Sequence, residues 1–149
     1  MENKTKNLTG ISEEQKKEIV EEIDQWGEDN DIEPVFIGSE AEEHAYAIVG
    51  VVDTPRPAII YSYRKLVESF MINDYPVHDE DAYTACVEHV EYNVIGSLVS
   101  AYNEDERRNK EIEKRNEKRA KEGSDEPMEK KEYSPIIMYD NFVPLMEKE

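Results

Sequence analysis

Apolar residues recur at helical spacing between residues 13 and 26, on one side of a segment rich in acids. Ser12 and Gln15 have the spacing of a capping box, in which each side chain accepts a hydrogen bond from the other residue's backbone N–H. Gly27 is the residue type that commonly follows the end of a helix. The pattern therefore predicts a helix over residues 13–26.

Short runs of β-branched and aromatic residues predict the strands. Residues 45–52 and 58–61 are two such runs, separated by a turn with two prolines, and we expect them to pair as an antiparallel hairpin. Gly50 within the first run predicts a bulge or a close approach by another element. Residues 34–38 and 134–139 each predict one more strand, the former at a sheet edge because proline cannot donate to the ladder.

After residue 62 the hydrophobic period lengthens from two to about 3.6 residues, which predicts two more helices. The first covers residues 63–73 and ends before Pro76; the second covers residues 79–95, with Asp79 as its N-cap. Gly96 either ends the second helix or allows another element to approach. The predicted fold class is α+β: a small antiparallel sheet of three or four strands, two helices packed on one face, and an acidic N-terminal helix covering an edge or the same face.

Residues 103–132 are almost pure charge, with 10 of the 18 Lys and Arg and 11 of the 36 Asp and Glu. Because a helix without an apolar stripe has nothing to bury, we expect a charged insertion that projects into solvent as a helix or is disordered. The predicted organisation is a flexible N-terminus over residues 1–10 and a single domain over residues 11–149. Residues 142–146 form a short apolar tail able to dock on the core.

Net charge is −18, and the nearly balanced segment 103–132 leaves −17 of it on the other 119 residues. Such a field repels nucleic acid and anionic membranes and attracts basic partners, although solubility alone is also a sufficient reason for acidity. The single Cys86 excludes an internal disulfide, and the N-terminus lacks the apolar core of a signal peptide. No apolar run approaches the ~18 residues that span a bilayer. We expect a soluble, intracellular protein.

No motif for catalysis or cofactor binding is present, so we predict no catalytic residue, no metal site, no cofactor and no enzyme activity. The acidic residues 28–33 lack the order of a calcium loop. Residues 78–81 are better explained as a helix cap than as a metal site, and Cys86 with His89 lacks two further zinc ligands. His44 is expected to be solvent-exposed. Acid–base chemistry by a pair of carboxylates stays open.

The chain has nine tyrosines against three phenylalanines. Tyrosine combines an apolar ring with a polar tip, which suits binding surfaces, although ordinary use at the edge of a core gives the same composition. The residues predicted to bind a partner are Glu18, Glu21, Glu22, Asp24, Tyr61, Tyr63, Tyr83 and Tyr92.

Four stretches carry a resemblance to a known group. They are residues 48–50 (IVG), 58–63 (AIIYSY), 88–96 (EHVEYNVIG) and 134–138 (SPIIM). A strand ending in Gly, a strand running into Tyr-x-Tyr and a helix, an acidic helix ending in Tyr-Asn-x-x-Gly, and a Pro-led strand together resemble small uncharacterised proteins of tailed bacteriophages. The resemblance covers about residues 45–102 and 134–139. It implies a phage β-β-α-α-β core, to which the acidic N-terminal helix and the charged segment are additions, and it implies no activity.

We therefore expect a phage protein that inhibits or redirects a host nucleic-acid-handling or defence protein in the host cytoplasm by occupying its basic surface, as a DNA mimic does. It would contact neither nucleic acid nor membrane directly, and homo-oligomer formation stays open. One alternative is a sponge for a small signalling nucleotide, which requires Arg56, Arg64 and Lys65 to gather in one cleft. A second is a small hydrolase with two carboxylates and a tyrosine in a closed pocket.

Overall fold

The computed structural model describes residues 8–53 and 56–140. In chain order its elements are α1 (Glu13–Asn30), β1 (Ile32–Pro34), a 3-10 turn (Ala45–Ala47), β2 (Ile48–Val52), β3 (Ala58–Ser62), α2 (Tyr63–Asp74), α3 (Glu80–His89), a π-helix (Val90–Ile95), α4 (Gly96–Glu122), β4 (Lys131–Tyr133) and β5 (Ile136–Met138). The predicted α+β fold class is confirmed. The predictions for residues 1–7 and 142–146 lie outside the described residues.

The main sheet has three strands in the order β2-β3-β5. β2 and β3 form the predicted antiparallel hairpin, and the register shift between Ile48 and Gly50 is the predicted bulge. A Cβ built on Gly50 would meet no atom within 4 Å, so close packing is not the reason for this glycine. β5 pairs with β3 in parallel, which makes the sheet mixed instead of antiparallel throughout. The chain reaches β5 through a long helical crossover, and such a connection permits a parallel strand.

β1 and β4 form a second, two-stranded parallel sheet, with Glu33 opposite Glu132. β4 overlaps the end of the charged segment and was not predicted. β1 begins two residues earlier than predicted and ends at Pro34, because only residues 32–34 pair with β4. The second sheet therefore connects the N-terminal part of the chain to the charged segment.

α1 begins as predicted, with the capping box between Ser12 and Gln15 in place. It does not end at Gly27; it continues to Asn30, and Asp31 follows it with a left-handed φ of 58°. Gly27 is buried, and a Cβ there would lie 2.7 Å from Pro34 Cγ. The glycine therefore permits the close approach of β1 and is not a terminator.

α3, the π-helix and α4 form one continuous helical segment from residue 80 to residue 122. Asp79 is its N-cap, and its side chain accepts a hydrogen bond from Ala82 N at 2.9 Å. The predicted end at Gly96 is wrong, because this residue has helical backbone angles, with φ −57°. No helix in the described part of the chain is long and apolar enough to cross a membrane.

The charged segment does not project into solvent as predicted. Its helical part packs on β4 and buries Asp105, Asn109 and Ile112, which are at most 7% exposed. The two polar residues are buried because their side chains hydrogen-bond to the returning chain: Asn109 to the backbone of Glu132, and Asp105 to Ser134. Hydrogen bonds between polar groups therefore hold the segment against the rest of the fold. The prediction had considered only contacts between apolar side chains.

Residues from the main sheet and from α2 and α3 form the hydrophobic core. α2 supplies Leu66 and Val67, β3 supplies Ile59 and Tyr61, and the π-helix supplies Val90, all at most 1% exposed. α1 joins this core through Ile23. One face of α1 and much of α3 consequently remain at the surface, where the candidate site lies.

Candidate functional site

The solvent side of α1 carries the four acids that the sequence predicted for partner binding. Glu18, Glu21, Glu22 and Asp24 are all exposed, while Val20 and Ile23 on the opposite side are buried. Within the described part of the chain, no salt bridge involves any of the four. Their charges are therefore available to a partner.

Further acids continue this surface beyond α1. Residues 13–43 contain thirteen Asp and Glu and only two lysines. The N-terminal end of α1, the loop after Gly38 and the end of α2 enclose a groove of about 290 Å³. It is lined by Glu13, Lys16, Ser39, Glu40, Glu42, Glu43, Asn73 and Asp74. We call the solvent-accessible acids of residues 13–43 the acidic face.

Hydrogen bonds fix the ionised form of one acid in this face. The backbone N–H and hydroxyl of Ser39 donate to Glu43 Oε1 at 2.8 and 3.1 Å. The backbone donation, helped by the hydroxyl, lowers the pKa of Glu43. Gly38, at φ +112°, makes this turn possible, because a Cβ there would lie 2.7 Å from the same carboxylate oxygen.

His44 is not solvent-exposed, in contrast to the prediction. Its side chain is 1% exposed, Nδ1 lies 2.8 Å from Ser69 Oγ, and its ring centroid is 4.1 Å from that of Phe70. Burial lowers the pKa of His44, because the charged imidazolium is poorly solvated there. This histidine is part of the packing beneath the acidic face.

The prediction that Tyr61 and Tyr63 contact a partner is wrong. Tyr61 is 0% exposed, and its hydroxyl accepts a hydrogen bond from Ile37 N at 2.9 Å. Tyr63 is 4% exposed and donates to Glu91 Oε2 at 2.6 Å. Burial raises the pKa of both phenols. Sequence spacing could not reveal these hydroxyl partners, because they lie on other elements.

Tyr83 and Tyr92 do lie at the surface, with 49% and 77% of their areas exposed. They belong to the helical segment that starts with α3, which packs on α2, whereas α1 packs on β1 and the 3-10 turn. The acids on α1 and the exposed tyrosines consequently occupy different helices, and the described contacts do not bring them together in one patch. The predicted acidic, tyrosine-bearing surface is thus divided.

A cleft of about 590 Å³ opens between the end of α2 and the helical segment around residue 90. Its lining residues are Phe70, Asp74, Tyr75, Ala85, Cys86, Glu88, His89, Tyr92 and Asn93. We call it the aromatic cleft. Asp74 lines both this cleft and the groove of the acidic face, so the two surfaces meet at this residue.

Neighbouring groups set the environments of two residues that line the aromatic cleft, His89 and Cys86. The His89 ring packs edge-on against Phe70, with centroids 4.6 Å apart, and Asn93 Nδ2 lies 3.0 Å from His89 Nδ1. Burial, with the nearby charge of Asp74, raises the pKa of the Cys86 thiol to about 11. A thiol with that pKa is protonated at neutral pH and is a weak nucleophile.

The sequence marked Arg56 only as a possible ligand-binding cation and did not reveal its role inside the fold. Its guanidinium lies over the rings of Tyr102 and Tyr133, at 5.0 and 5.4 Å from their centroids, and forms an ion pair with the buried Asp105. It also donates to Ser134 O at 3.2 Å. The charge of Arg56 is therefore used inside the fold, to fix β4 and the residue that follows it onto α4.

The three cations expected in a nucleotide-binding cleft do not gather. Arg56 is engaged with Asp105, Arg64 donates to the carbonyl oxygen of Asp140 at 3.4 Å, and Lys65 Nζ lies 5.8 Å from the centroid of the Tyr46 ring. These are three separate environments. The arrangement that nucleotide capture required is thus not formed.

No three His, Cys, Asp or Glu side chains come together as a metal site within residues 8–53 and 56–140. His78 Nδ1 accepts a hydrogen bond from Leu8 N at 2.7 Å, and Asp79 caps α3. The acidic residues 28–33 belong to the end of α1 and the start of β1. Leu8 also packs against the core, so the predicted flexibility of residues 1–10 does not extend to it.

Comparison with known proteins adds no relative. The scan of family models found no match, and neither the curated proteins nor the solved structures gave a significant one. The resemblance to small phage proteins therefore stays a prediction.

Proposed function

We propose that this chain is an acidic binding protein that occupies a basic surface of a partner protein. The observation that carries the proposal is the acidic face: thirteen acids against two lysines over residues 13–43, with α1 presenting Glu18, Glu21, Glu22 and Asp24 to solvent. Like charges so close together repel one another, and a basic partner relieves that repulsion.

The charged segment, residues 103–132, supports the proposal by contrast. α4 and the chain that follows it carry many charges, but these pair with each other, as between Arg115 and Glu129 at 2.6 Å and between Lys131 and Glu113 at 3.2 Å. Residues 103–132 have a net charge of only −1, from 11 acids and 10 bases. Residues 13–43 therefore carry a net charge of −11, from 13 acids and 2 lysines, against −1 for the charged segment, and this difference orients an approaching basic partner.

The amount of charge bears on the kind of partner. α1 has eight acids and two lysines over 18 residues, a length of about 27 Å at ~1.5 Å per residue. Duplex DNA carries about one charge per 1.7 Å, which is roughly two to three times the net charge density of α1. α1 alone thus falls short of the charge density of a duplex, which favours a limited basic patch on a protein over a groove built to hold DNA.

In the setting implied by the sequence resemblance, the partner is a host nucleic-acid-handling or defence factor, met in the host cytoplasm. Inhibition follows if the basic patch is the one that the factor uses for nucleic acid. The proposal assigns no bond-making step to the chain itself and no contact with membrane.

Capture from a bacterial lysate at about 150 mM salt tests the proposal, with three versions of the chain as bait. The wild type is expected to retain a basic protein that elutes as salt is raised. Replacing Glu18, Glu21, Glu22 and Asp24 by Gln, Gln, Gln and Asn should abolish that capture.

A matched control removes three Glu and one Asp from the charged segment 103–132, as E106Q, E117Q, E122Q and D125N, which are all exposed. The control should capture the partner as the wild type does. Equal capture by both quadruple variants, or capture of no basic protein by the wild type, would refute the proposal.

A further inference from the structure

We infer that the aromatic cleft receives an arginine side chain of the basic partner. The inference rests on the proposed function for the source of the arginine, and it names the anchor point that the acidic face by itself lacks. Charge, aromatic composition and local backbone structure each support it.

The charge inside the cleft is negative and uncompensated. Asp74 and Glu88 line it, and no lysine or arginine of the described chain does so. No salt bridge or hydrogen bond engages either carboxylate within residues 8–53 and 56–140. A cation that enters the cleft therefore meets two unpaired acceptors, which are able to bind a guanidinium.

The aromatic rings supply the second requirement. Phe70, Tyr75 and Tyr92 line the same cleft, and 36% of Tyr75 and 77% of Tyr92 are exposed. Ring faces beside carboxylates attract cations, and a flat guanidinium also stacks on them. Arginine fits this combination better than lysine, whose ammonium is a compact and strongly hydrated point charge.

Two features of the helices around the cleft are uncommon where an element serves only to stabilise the fold. Tyr92 and Asn93 belong to the π-helix Val90–Ile95, a rare conformation that is frequent at functional sites. Asp74 is the last residue of α2, where the helix dipole disfavours a carboxylate. Neither feature improves local stability, which is consistent with a role in binding.

The cleft is also in the right place for the proposed partner. Asp74 belongs both to the cleft and to the groove that contains Glu13, Glu40 and Glu43. An arginine seated between Asp74 and Glu88 thus brings its neighbours in the partner's chain against the acidic face. Basic residues on either side of the anchor would then find acids along α1 and the 38–44 loop.

Calorimetric titration of the full chain tests the inference, with an acetylated and amidated octapeptide of alternating arginine and glycine as the probe. The arginine peptide is expected to bind, the lysine version to bind several-fold more weakly, and the uncharged citrulline version not to bind measurably. The double variant D74N/E88Q should weaken binding at least tenfold. The double variant E80Q/D81N removes two exposed acids outside the cleft on the same helix, and it should change affinity less than twofold.

NMR of the labelled tyrosine rings locates the peptide. Signals of Tyr75 and Tyr92 should shift on titration, whereas Tyr83, exposed on α3 outside the cleft, should not. Equal affinity of wild type and D74N/E88Q, or equal binding of the arginine and citrulline peptides, would overturn the inference.

Lysate capture separates the two ideas. If D74N/E88Q captures the basic partner as well as the wild type does, while the variant without the α1 acids does not, the proposed function stands and the arginine anchor falls. If the arginine peptide binds in the cleft but the wild type captures no basic protein, the proposed function falls. In that case, titration with arginine amide tests whether the cleft binds free arginine. Binding of free arginine would overturn the inference that the arginine belongs to a partner protein.

Discussion

The side-chain amide of Asn109 pairs with both backbone groups of Glu132. Asn109 Nδ2 donates to Glu132 O at 2.7 Å, and Asn109 Oδ1 accepts from Glu132 N at 3.1 Å. Asn116 repeats the arrangement with Glu129, at 3.0 and 2.9 Å. An asparagine amide carries the same donor and acceptor as a peptide group, so α4 supplies the hydrogen bonds that a neighbouring strand would otherwise make.

Asn109→Ala is therefore expected to lower the free energy of unfolding by about 1.5–3 kcal/mol. Most of this loss comes from the N–H of Glu132, which is left without its acceptor. The carbonyl oxygen of Glu132 still accepts a hydrogen bond from Arg108 at 2.9 Å. Urea denaturation measures it. Asn103→Ala, at an exposed position on the same helix, should stay within about 0.5 kcal/mol of wild type. Equal stability of the two variants would mean that the amide pairing contributes nothing.

This pairing also explains why the sequence pattern wrongly predicts that the charged segment projects into solvent. The side of α4 that meets the returning chain carries Asp105, Asn109, Ile112, Asn116 and Arg119, spaced by four and three residues in turn. That spacing marks a buried helix face, yet four of the five side chains are polar. A search for apolar stripes misses such a face, because its polar side chains are paired with backbone and side-chain groups that lie elsewhere in the sequence.

Where apolar periodicity decides the structure, the sequence was sufficient. The hairpin of β2 and β3 and the helix α2 follow from their buried residues, such as Ile59 and Leu66, and the Ser12 cap follows from a local motif. For the site, exposure of the α1 acids was predictable from their charge. Burial of Tyr61 was not, because tyrosine is tolerated in a core once a distant group such as Ile37 N pairs with its hydroxyl.

Replacing glycine by alanine should change the free energy of unfolding in opposite directions at two helical positions, Gly27 and Gly96. At Gly27 the new Cβ would lie 2.7 Å from Pro34 Cγ and 3.0 Å from Ile32 O, closer than carbon atoms tolerate. At Gly96 the nearest atom would be Glu91 O at 3.9 Å, which is ordinary contact. We expect Gly27→Ala to lower the free energy of unfolding by about 1–3 kcal/mol, and Gly96→Ala to raise it by about 0.5–1 kcal/mol.

Thermal and urea unfolding of the two glycine variants give the comparison. If both alanine variants are more stable than wild type, helix propensity alone determines their stability. That result would contradict the close approach of β1 to α1 at Gly27.

Asp→Asn substitution is expected to change stability in opposite directions at two exposed aspartates, one at the C-terminus of a helix and one at the N-terminus. Asp74 is the last residue of α2, and Asp81 lies in the first turn of α3. Because the helix dipole favours negative charge at the N-terminus, Asp74→Asn should stabilise and Asp81→Asn should destabilise, each by about 0.3–1 kcal/mol at low salt. Both differences should shrink when unfolding is measured in about 1 M NaCl.

A stabilised D74N that also loses arginine-peptide binding would show that Asp74 is retained for binding at the expense of stability. Loss of stability in D74N would instead indicate a structural role for this carboxylate.

Stability near pH 6 should depend on His44. Burial is the largest influence on the pKa of His44 and lowers it; Glu43 and Asp74 partly oppose this effect, and His89 and Lys16 add to it. In the unfolded chain the pKa is about 6.5, so below that pH the unfolded state binds a proton that the folded state does not. The stabilising contribution of the neutral imidazole is therefore complete above about pH 6.5 and declines as the pH falls, by at most about 1.4 kcal/mol per pH unit. Urea unfolding of wild type and His44→Gln between pH 5 and 7.5 measures this slope, which the variant should lack. Parallel pH profiles of the two proteins would show that folding does not lower the pKa of His44.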